Sequence, residues 1–462
     1  MDAPADPARR RRVLFTLVGI TVAAAAWRLA SLDLESLWYD EAISLDLARR
    51  PFAEILENRA LDGHPPAYFF LLRAWTLLFG DSPTALRALS VIPGTLVVPL
   101  LYLVAARWRG AAAGLVVAAL AAGSRFLAHY SQEARDYAFL FLFATAAFLA
   151  LDRARERPTG GRLAAWSALL AATLWSSVYG LAVLGTQALW LAGVGLAARA
   201  RRGADRPPWR AALPWLAALL AAVALFSPWL LVLARRAETA AHDLWVPLPT
   251  PAALGGAFVA FAGSRRGLAL FAPAVLLGLW RELAAPGADR RRGWLLVAWL
   301  VGPVLLPWLA SYVALPVFVQ RGTIVGVGAF LLLAALGLDA LRPRRALCAV
   351  AAGLVVYALA FGAVRQVDRR DKEDWRGLAA LVAERAEPKD VLLLWNRYEM
   401  VAYRAYAARD DLVLATHADA AEGRAPWGEH RVVFVVESPH QRRGDEARAA
   451  LAAAGFALVR TE

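Results

Sequence analysis

Two short stretches of this chain concentrate side chains that could do chemistry. The first, Leu37-Trp38-Tyr39-Asp40-Glu41-Ala42, sets two adjacent carboxylates behind aromatic residues and ahead of a stretch that reads as helix to Arg49. A carboxylate at a helix N-terminus is held as the anion by free N–H groups and the helix dipole, ready to accept a proton or bind a cation. The same position also suits an Asp40 that does no more than cap the helix. The second stretch runs from Ser124 to Tyr137 and crowds Arg125, His129, Tyr130, Glu133, Arg135 and Tyr137 into a turn that a few small residues could have closed. It reads either as a site or as an anchor at a membrane interface. Glu133 could act on a substrate or bridge locally to Arg135, and His64 and His129 could ligate a metal or serve as interfacial hydrogen-bonders.

The elements that must position these residues are membrane spans. Apolar residues make up 59% of the chain and charged residues only 19%, gathered into short clusters between long apolar runs, and mean hydropathy is +0.46. That is an apolar fraction above the roughly 45 to 50% of soluble domains. The net charge of +13 comes from loop arginines, with no basic stripe of the kind that binds nucleic acid. Cys348 is the only cysteine, which excludes a disulfide framework and a cysteine metal site. Runs of the length a bilayer requires, about 20 residues, fall near 13–31, 84–106, 111–128, 137–151, 163–179, 181–198, 211–233, 267–281, 294–313, 323–341 and 344–364. The first follows Arg9 to Arg12 without a small-residue cleavage site and reads as a retained span.

About eleven spans with a cytoplasmic N-terminus (residues 1–12) satisfy the positive-inside rule. Alternate loops around Arg9–Arg12, Arg107–Arg109, Arg153–Arg162, Arg199–Arg210, Arg281–Arg292 and Arg342–Arg345 hold 22 arginines, so these loops are assigned to the cytoplasm. His64 to Phe79 is apolar but short, aromatic and preceded by Pro65-Pro66, and is read as an interfacial or re-entrant helix within a first outer loop of residues 33–83. The transmembrane domain then covers 13–364. Residues 365–462 turn polar and alternate helical and strand-like runs, which predicts a small α/β domain outside the cytoplasm. Helices are expected at Asp374 to Arg385, Glu399 to Ala408 and Glu446 to Ala454, and strands at Val391 to Trp395, Leu412 to Ala415, Arg431 to Glu437 and Phe456 to Val459. No glycine-rich phosphate loop marks this domain as nucleotide-binding. The run Lys372 to Arg376 (KEDWR) reads as the solvated start of its first helix.

The motifs WYDEA (Trp38 to Ala42), HPPAYFFLL (His64 to Leu72), Arg87 ahead of a span, and YSQEARDYAF (Tyr130 to Phe139) together resemble the GT-C membrane glycosyltransferases. The similarity is to the family 39-like group that includes protein O-mannosyltransferases and aminoarabinose transferases. That resemblance implies transfer of a sugar from a polyprenyl-phosphate donor to a glycan, lipid or protein acceptor, outside the cytoplasm of an inner (plasma) membrane and with inversion. It implies Asp40 as general base, Glu41 and Glu133 as further catalytic acids, and Tyr39, His64, Tyr130 and Tyr137 as acceptor or pocket residues. A leaving phosphate needs positive charge, for which Arg135 and Arg321 are the candidates, or a divalent cation at Asp40, Glu133 and His64. Arg321 lies in Val317 to Gly322, where related enzymes often carry an arginine, although Gly322 stands where an aromatic often follows it. Outer arginines could equally hold lipid headgroups. The reading expects the acids near 40 and 133 to share one cavity.

Two other classes compete. A secondary transporter or flippase has a similar span number but places ionisable groups near the bilayer midplane, whereas the carboxylates here cluster in loops. A scaffold whose α/β domain binds a partner would tolerate loss of Asp40.

Overall fold

The computed structural model describes residues 7–30, 32–202, 209–239, 246–341, 344–367, 372–394, 396–407, 409–416, 418–419, 433–435 and 452–453. In chain order the helices are α1 (Pro7–Leu29), α2 (Tyr39–Arg49), α3 (Phe52–Asp62), α4 (Ala67–Phe79), α5 (Pro83–Arg109), α6 (Ala111–Gly123), α7 (Arg125–Ser131), α8 (Tyr137–Glu156) and α9 (Gly160–Ser176). They continue as α10 (Gly180–Arg202), α11 (Trp209–Thr239), α12 (Pro251–Phe261), α13 (Arg265–Leu283), α14 (Arg290–Val313), a 3₁₀ turn (Gln320–Thr323), α15 (Val325–Leu338), α16 (Arg344–Val367), α17 (Trp375–Arg385) and α18 (Arg397–Arg404). Three short strands, β1 (Val391–Leu394), β2 (Val413–Thr416) and β3 (Val433–Val435), complete the described elements. The chain divides into two compact units, one of residues 1–32 with 51–368 and the other of 33–50 with 369–462.

The larger unit is all helix. Among the described residues α1, α5, α8, Gly180–Ala197 of α10, Ala212–Arg236 of α11, and α14 are long and apolar enough to cross a membrane. Two further candidates are bent pairs, α6 with α7 at 60° and α12 with α13 at 80°. Six to eight spans thus pass on length and composition, where the sequence predicts about eleven. The other expected spans exist as shorter helices: α9 has 17 residues and α15 has 14, and the apolar described part of α16 is Ala349–Phe361. An apolar run cannot show where a turn interrupts it, and the run 323–341 begins in the 3₁₀ turn rather than in a helix. α4, at 13 residues, reaches about 20 Å against a hydrocarbon core of roughly 30 Å.

Every residue of α15 is buried, as a helix that is apolar all round should be. Its glycines let backbones meet: a Cβ on Gly337 would lie 1.9 Å from the Ala274 oxygen, and one on Gly278 of α13 would lie 2.1 Å from the Leu333 oxygen. Small residues at such contacts substitute van der Waals packing for the hydrophobic drive that lipid removes. Trp299 stacks on Phe148 at 4.3 Å and donates to the Val325 oxygen at 2.8 Å, fixing α14 and α8 around α15.

Several arginines of the loops assigned to the cytoplasm also tie helix ends together. Glu282, wholly buried, pairs with Arg109 and with Arg292, each at 2.7 Å. Buried Asp152 pairs with Arg155 at 3.0 Å, and Arg155 reaches Asp289 at 2.9 Å.

In the smaller unit β1 lies between β2 and β3, all parallel, with Leu392 opposite Leu414 and Phe434. A central parallel strand is covered on both faces, and Val391-Leu392-Leu393-Leu394 is fully buried. α17, α18 and the first three expected strands match their sequence positions; Glu446 to Ala454 and Phe456 to Val459 lie almost wholly outside the described residues. The composition boundary near 364 left residues 33–50 with the membrane portion, whereas the structure groups them here. Ala42 of α2 packs in the core with Trp375, Val382, Leu392 and Tyr403. Ser36 Oγ donates to Asp374 Oδ1 at 3.0 Å, the Leu37 N–H donates to the Tyr406 hydroxyl at 2.7 Å, and Arg376 pairs with Asp33 at 2.8 Å.

Candidate functional site

The residues singled out from the sequence fall into both units, with Tyr39, Asp40 and Glu41 in the smaller. α2 begins at Tyr39 with Trp38 as its N-cap. Asp40 therefore sits inside the first turn rather than at the cap, among N–H groups that have no intrahelical partner. Its side chain is buried, 7% exposed, and its backbone oxygen accepts from Ser44 Oγ at 3.0 Å. Glu41 is wholly buried; its Oε2 accepts from the Trp38 N–H at 3.4 Å and from Lys372 Nζ at 2.9 Å. The solvated reading of KEDWR is thereby corrected for Lys372, whose side chain is 8% exposed, while Asp374 does cap α17 by accepting from the Gly377 N–H at 2.9 Å. Removing one partner of a buried pair strands the other charge, at about 3 to 5 kcal/mol. Lys372→Met is expected to lower the unfolding midpoint of the smaller unit sharply, with Glu41→Gln in the same chain recovering part of the loss. A midpoint unchanged by Lys372→Met would show the pair to be dispensable.

In the larger unit the second stretch is a break in a membrane helix followed by a tight turn. Ser124 accepts from the Leu127 N–H to cap α7, residues 132–136 turn the chain, and α8 starts at Tyr137. Glu133 is 3% exposed and meets His129 Nε2 at 3.0 Å, one helical turn away. The rings of Tyr130 and Tyr137 meet edge to face at 5.2 Å. Arg321 brings its guanidinium carbon to 6.0 Å from the Tyr137 ring centre, and Tyr130 lies within electrostatic reach of both Glu133 and Arg321. Glu133, Tyr130, Tyr137 and Arg321 thus lie near one another, with His129 beside Glu133.

Arg321 stands in the 3₁₀ turn, reached through a loop that Ser311 Oγ holds by accepting the N–H groups of Val317 and Phe318, each at 3.0 Å. Gly322 also acquires a reason: a Cβ there would lie 2.4 Å from the Tyr179 ring, and the Tyr179 hydroxyl donates to the Val317 oxygen at 3.1 Å. The ring beside Arg321 is supplied by Tyr179 from elsewhere in the chain, which leaves room for no side chain at 322.

His64 and Arg135 belong to a neighbouring charged group. Arg59, 4% exposed, pairs with Asp62 at 2.9 Å, donates from Nη2 to Asn58 Oδ1 at 2.6 Å, and lies 4.6 Å over the Phe69 ring. His64 Nε2 lies 3.9 Å from Asp62. Gly63 turns the chain at φ +81° and its oxygen accepts from Trp229 Nε1 at 3.3 Å, docking the loop on α11. Desolvation holds the His64 imidazole below its usual pKa, with Arg135 and Arg59 adding to the effect and Asp62 and Asp136 opposing it. For Asp62, burial raises the pKa but His64, Arg59, Arg135 and Arg236 together prevail and lower it. His64 is therefore a neutral donor and acceptor at pH 7. Since its folded pKa lies below the unfolded value of 6.5, the unfolded chain binds the proton first, and the stability from neutral His64 is present above pH 6.5 and lost as pH falls toward the folded pKa. The parental melting temperature should drop between pH 7.5 and 5.5 by more than that of His64→Gln; equal slopes would refute the assignment.

Comparison with known proteins gives this arrangement its setting. Residues 63–232 match the family model "Dolichyl-phosphate-mannose-protein mannosyltransferase". Over 94% of both chains the structure resembles ArnT from Cupriavidus metallidurans in the apo state, with a TM-score of 0.66 and 15% identity. The form of that protein bound to undecaprenyl phosphate gives 0.64 and 14% over the same shares. The fold is that of the GT-C membrane glycosyltransferases. A second GT-C structure is similar: the archaeal oligosaccharyltransferase AglB from Archaeoglobus fulgidus, in complex with an inhibitory peptide and a dolichol-phosphate, at TM-score 0.53 and 14% identity over 89% of this chain and 65% of that one. No curated protein sequence matches this chain.

The matched stretch of the GT-C family model contains His64, Arg87, Tyr130, Glu133, Arg135 and Tyr137, and lies between Asp40 and Arg321. Arg87, 2% exposed, donates to the Leu32 oxygen and so ties the end of the first span to α5. Among the described residues no three of His, Cys, Asp and Glu gather as metal ligands. Sequence reading missed Arg59, Asp62 and Asp136. Arg59 and Asp62 look like one i,i+3 surface pair on α3, and only the packing of the helical unit brings them within electrostatic reach of Arg135.

Proposed function

We propose that this GT-C protein transfers a sugar from a polyprenyl-phosphate donor to an acceptor hydroxyl or amine, on the extracytoplasmic side and with inversion at the anomeric carbon. The acceptor's proton passes to the Asp40 carboxylate as the acceptor atom bonds to C1. The bond from C1 to the phosphate oxygen breaks, and the electron pair leaves with the polyprenyl phosphate. No general acid is needed, because phosphate is a good leaving group. Arg321 and Arg135 neutralise the charge it gathers, while His64, Tyr130 and Tyr137 line the pocket, and Glu133 orients substrate with Glu41 holding the start of α2.

The observation that carries this reading is the convergence of Glu133, Tyr130, Tyr137 and Arg321 in a chain whose fold matches a protein solved with undecaprenyl phosphate. The test is to incubate purified protein with a panel of polyprenyl-phosphate sugars and glycan, lipid or peptide acceptors, with and without EDTA, and to weigh the products. Glycosylated acceptor with release of polyprenyl phosphate is expected. Donors that remain intact across the panel, with a monodisperse and folded protein, would overturn the reading.

A further inference from the structure

The turn that carries Glu133 and Arg135 hangs on a broken helix, and a break inside a membrane protein has a cost. The last four carbonyls of a helix have no intrahelical donor, and in an apolar setting each must find one. α6 ends at Gly123 and α7 departs at 60°, which leaves Ala121 and Ala122 in this position. Both are answered by one side chain. Arg28, at the end of α1 and wholly buried, donates from Nη2 to the Ala121 oxygen at 3.3 Å and from Nη1 to the Ala122 oxygen at 3.5 Å. Its Nη1 also donates to the Ala24 oxygen at 3.0 Å, and its Nε donates to Ser131 Oγ at 3.2 Å.

A guanidinium at a helix C-terminus gains from the dipole as well as from its hydrogen bonds. Its flat fork is the one side chain that reaches this many acceptors at once. The tie is returned from the other side: Gln132 Nε2 donates to the Arg28 oxygen at 2.8 Å. Ser131 is held against α5, where a Cβ on Gly94 would lie 2.0 Å from its hydroxyl, and Ser90 Oγ donates to the Arg135 oxygen at 3.2 Å. The segment 131–135 is thus fastened at three points, and Arg28 links it to the broken end of α6.

We infer that Arg28 is a positioning residue for the transfer reaction: it satisfies the open end of α6 and, through Ser131, sets the turn that presents Glu133 and Arg135. The inference rests on the function proposed above. The experiment follows parental protein, Arg28→Lys, Arg28→Met and Ser131→Ala by hydrogen exchange and by transfer kinetics with an undecaprenyl-phosphate sugar. For Arg28→Met, exchange should rise about tenfold within residues 124–136 and stay parental in α13 to α15. Turnover should fall about 10- to 100-fold, as for a displacement near 1 Å, with donor KM moving less. Arg28→Lys should recover part of both effects, and Ser131→Ala should shift both in the same direction by less. If Arg28→Met does not insert stably, the Ser131→Ala exchange pattern decides. Parental exchange and turnover, or exchange rising uniformly through the helical unit, would overturn the inference. Should the parental protein transfer nothing, the proposed function falls while the exchange data still judge the role of Arg28.

Discussion

Asp40→Asn protein should insert, fold and bind its donor as the parental protein does, yet transfer sugar about 10²- to 10⁴-fold more slowly, the span that a general base contributes. The two effects separate because of where Asp40 sits. Trp38, not Asp40, is the N-cap of α2, so the amide costs the helix only the loss of one charge near the dipole, about 0.3 to 1 kcal/mol. The loss of a proton acceptor is larger in activity terms by two decades or more, and it acts on turnover rather than on donor affinity. Single-turnover measurement with saturating donor, beside a thermal melt, reads the two quantities apart. A variant that turns over at the parental rate would remove Asp40 from the base position and would suit a scaffold better than an enzyme.

The two stretches proposed for the site stand out in the sequence because their residues are costly in a membrane setting: carboxylates, guanidinium groups and phenols are packed into short turns between apolar runs. Helix positions were legible for the same reason, since an apolar run must be helical to satisfy its backbone in lipid. What the runs conceal is interruption. The stretch 111–128 reads as one span, and only the Ser124 cap and the carbonyls taken up by Arg28 reveal the bend. Pairings across long sequence distances were equally hidden. Lys372 looks like a solvated charge until Glu41, 331 residues earlier, is brought to it, and the same closure groups residues 33–50 with the C-terminal part of the chain. Gly322 looked like a departure from a family pattern because Tyr179, which fills the space, lies in another helix connection.

The arginines should respond differently from Asp40, and the difference follows from charge. A sugar–phosphate–prenyl diester carries one negative charge, and the departing polyprenyl phosphate carries close to two at neutral pH. A guanidinium beside it therefore gains more in the transition state and the product than in the bound donor, and only such a gain lowers the barrier. Arg321→Ala is expected to cut turnover about 10²- to 10³-fold, the usual loss for one preorganised donor to a developing oxyanion, with a smaller rise in donor KM. It should also weaken inhibition by undecaprenyl phosphate, because the product holds the charge that the guanidinium answers. Arg321→Lys keeps the charge but loses the fork and should fall between the two. Arg321 touches the Tyr137 ring through its face, so Tyr137→Phe, which keeps that ring, should leave the arginine effect intact. Arg135→Ala should show the same turnover loss with an added shift in the His64 titration, since Arg135 helps to depress that imidazole; its removal raises the His64 pKa and extends the neutral-to-charged transition to higher pH. Arg321→Ala with parental turnover and parental product inhibition would place that arginine on a lipid headgroup and leave the leaving phosphate to Arg135.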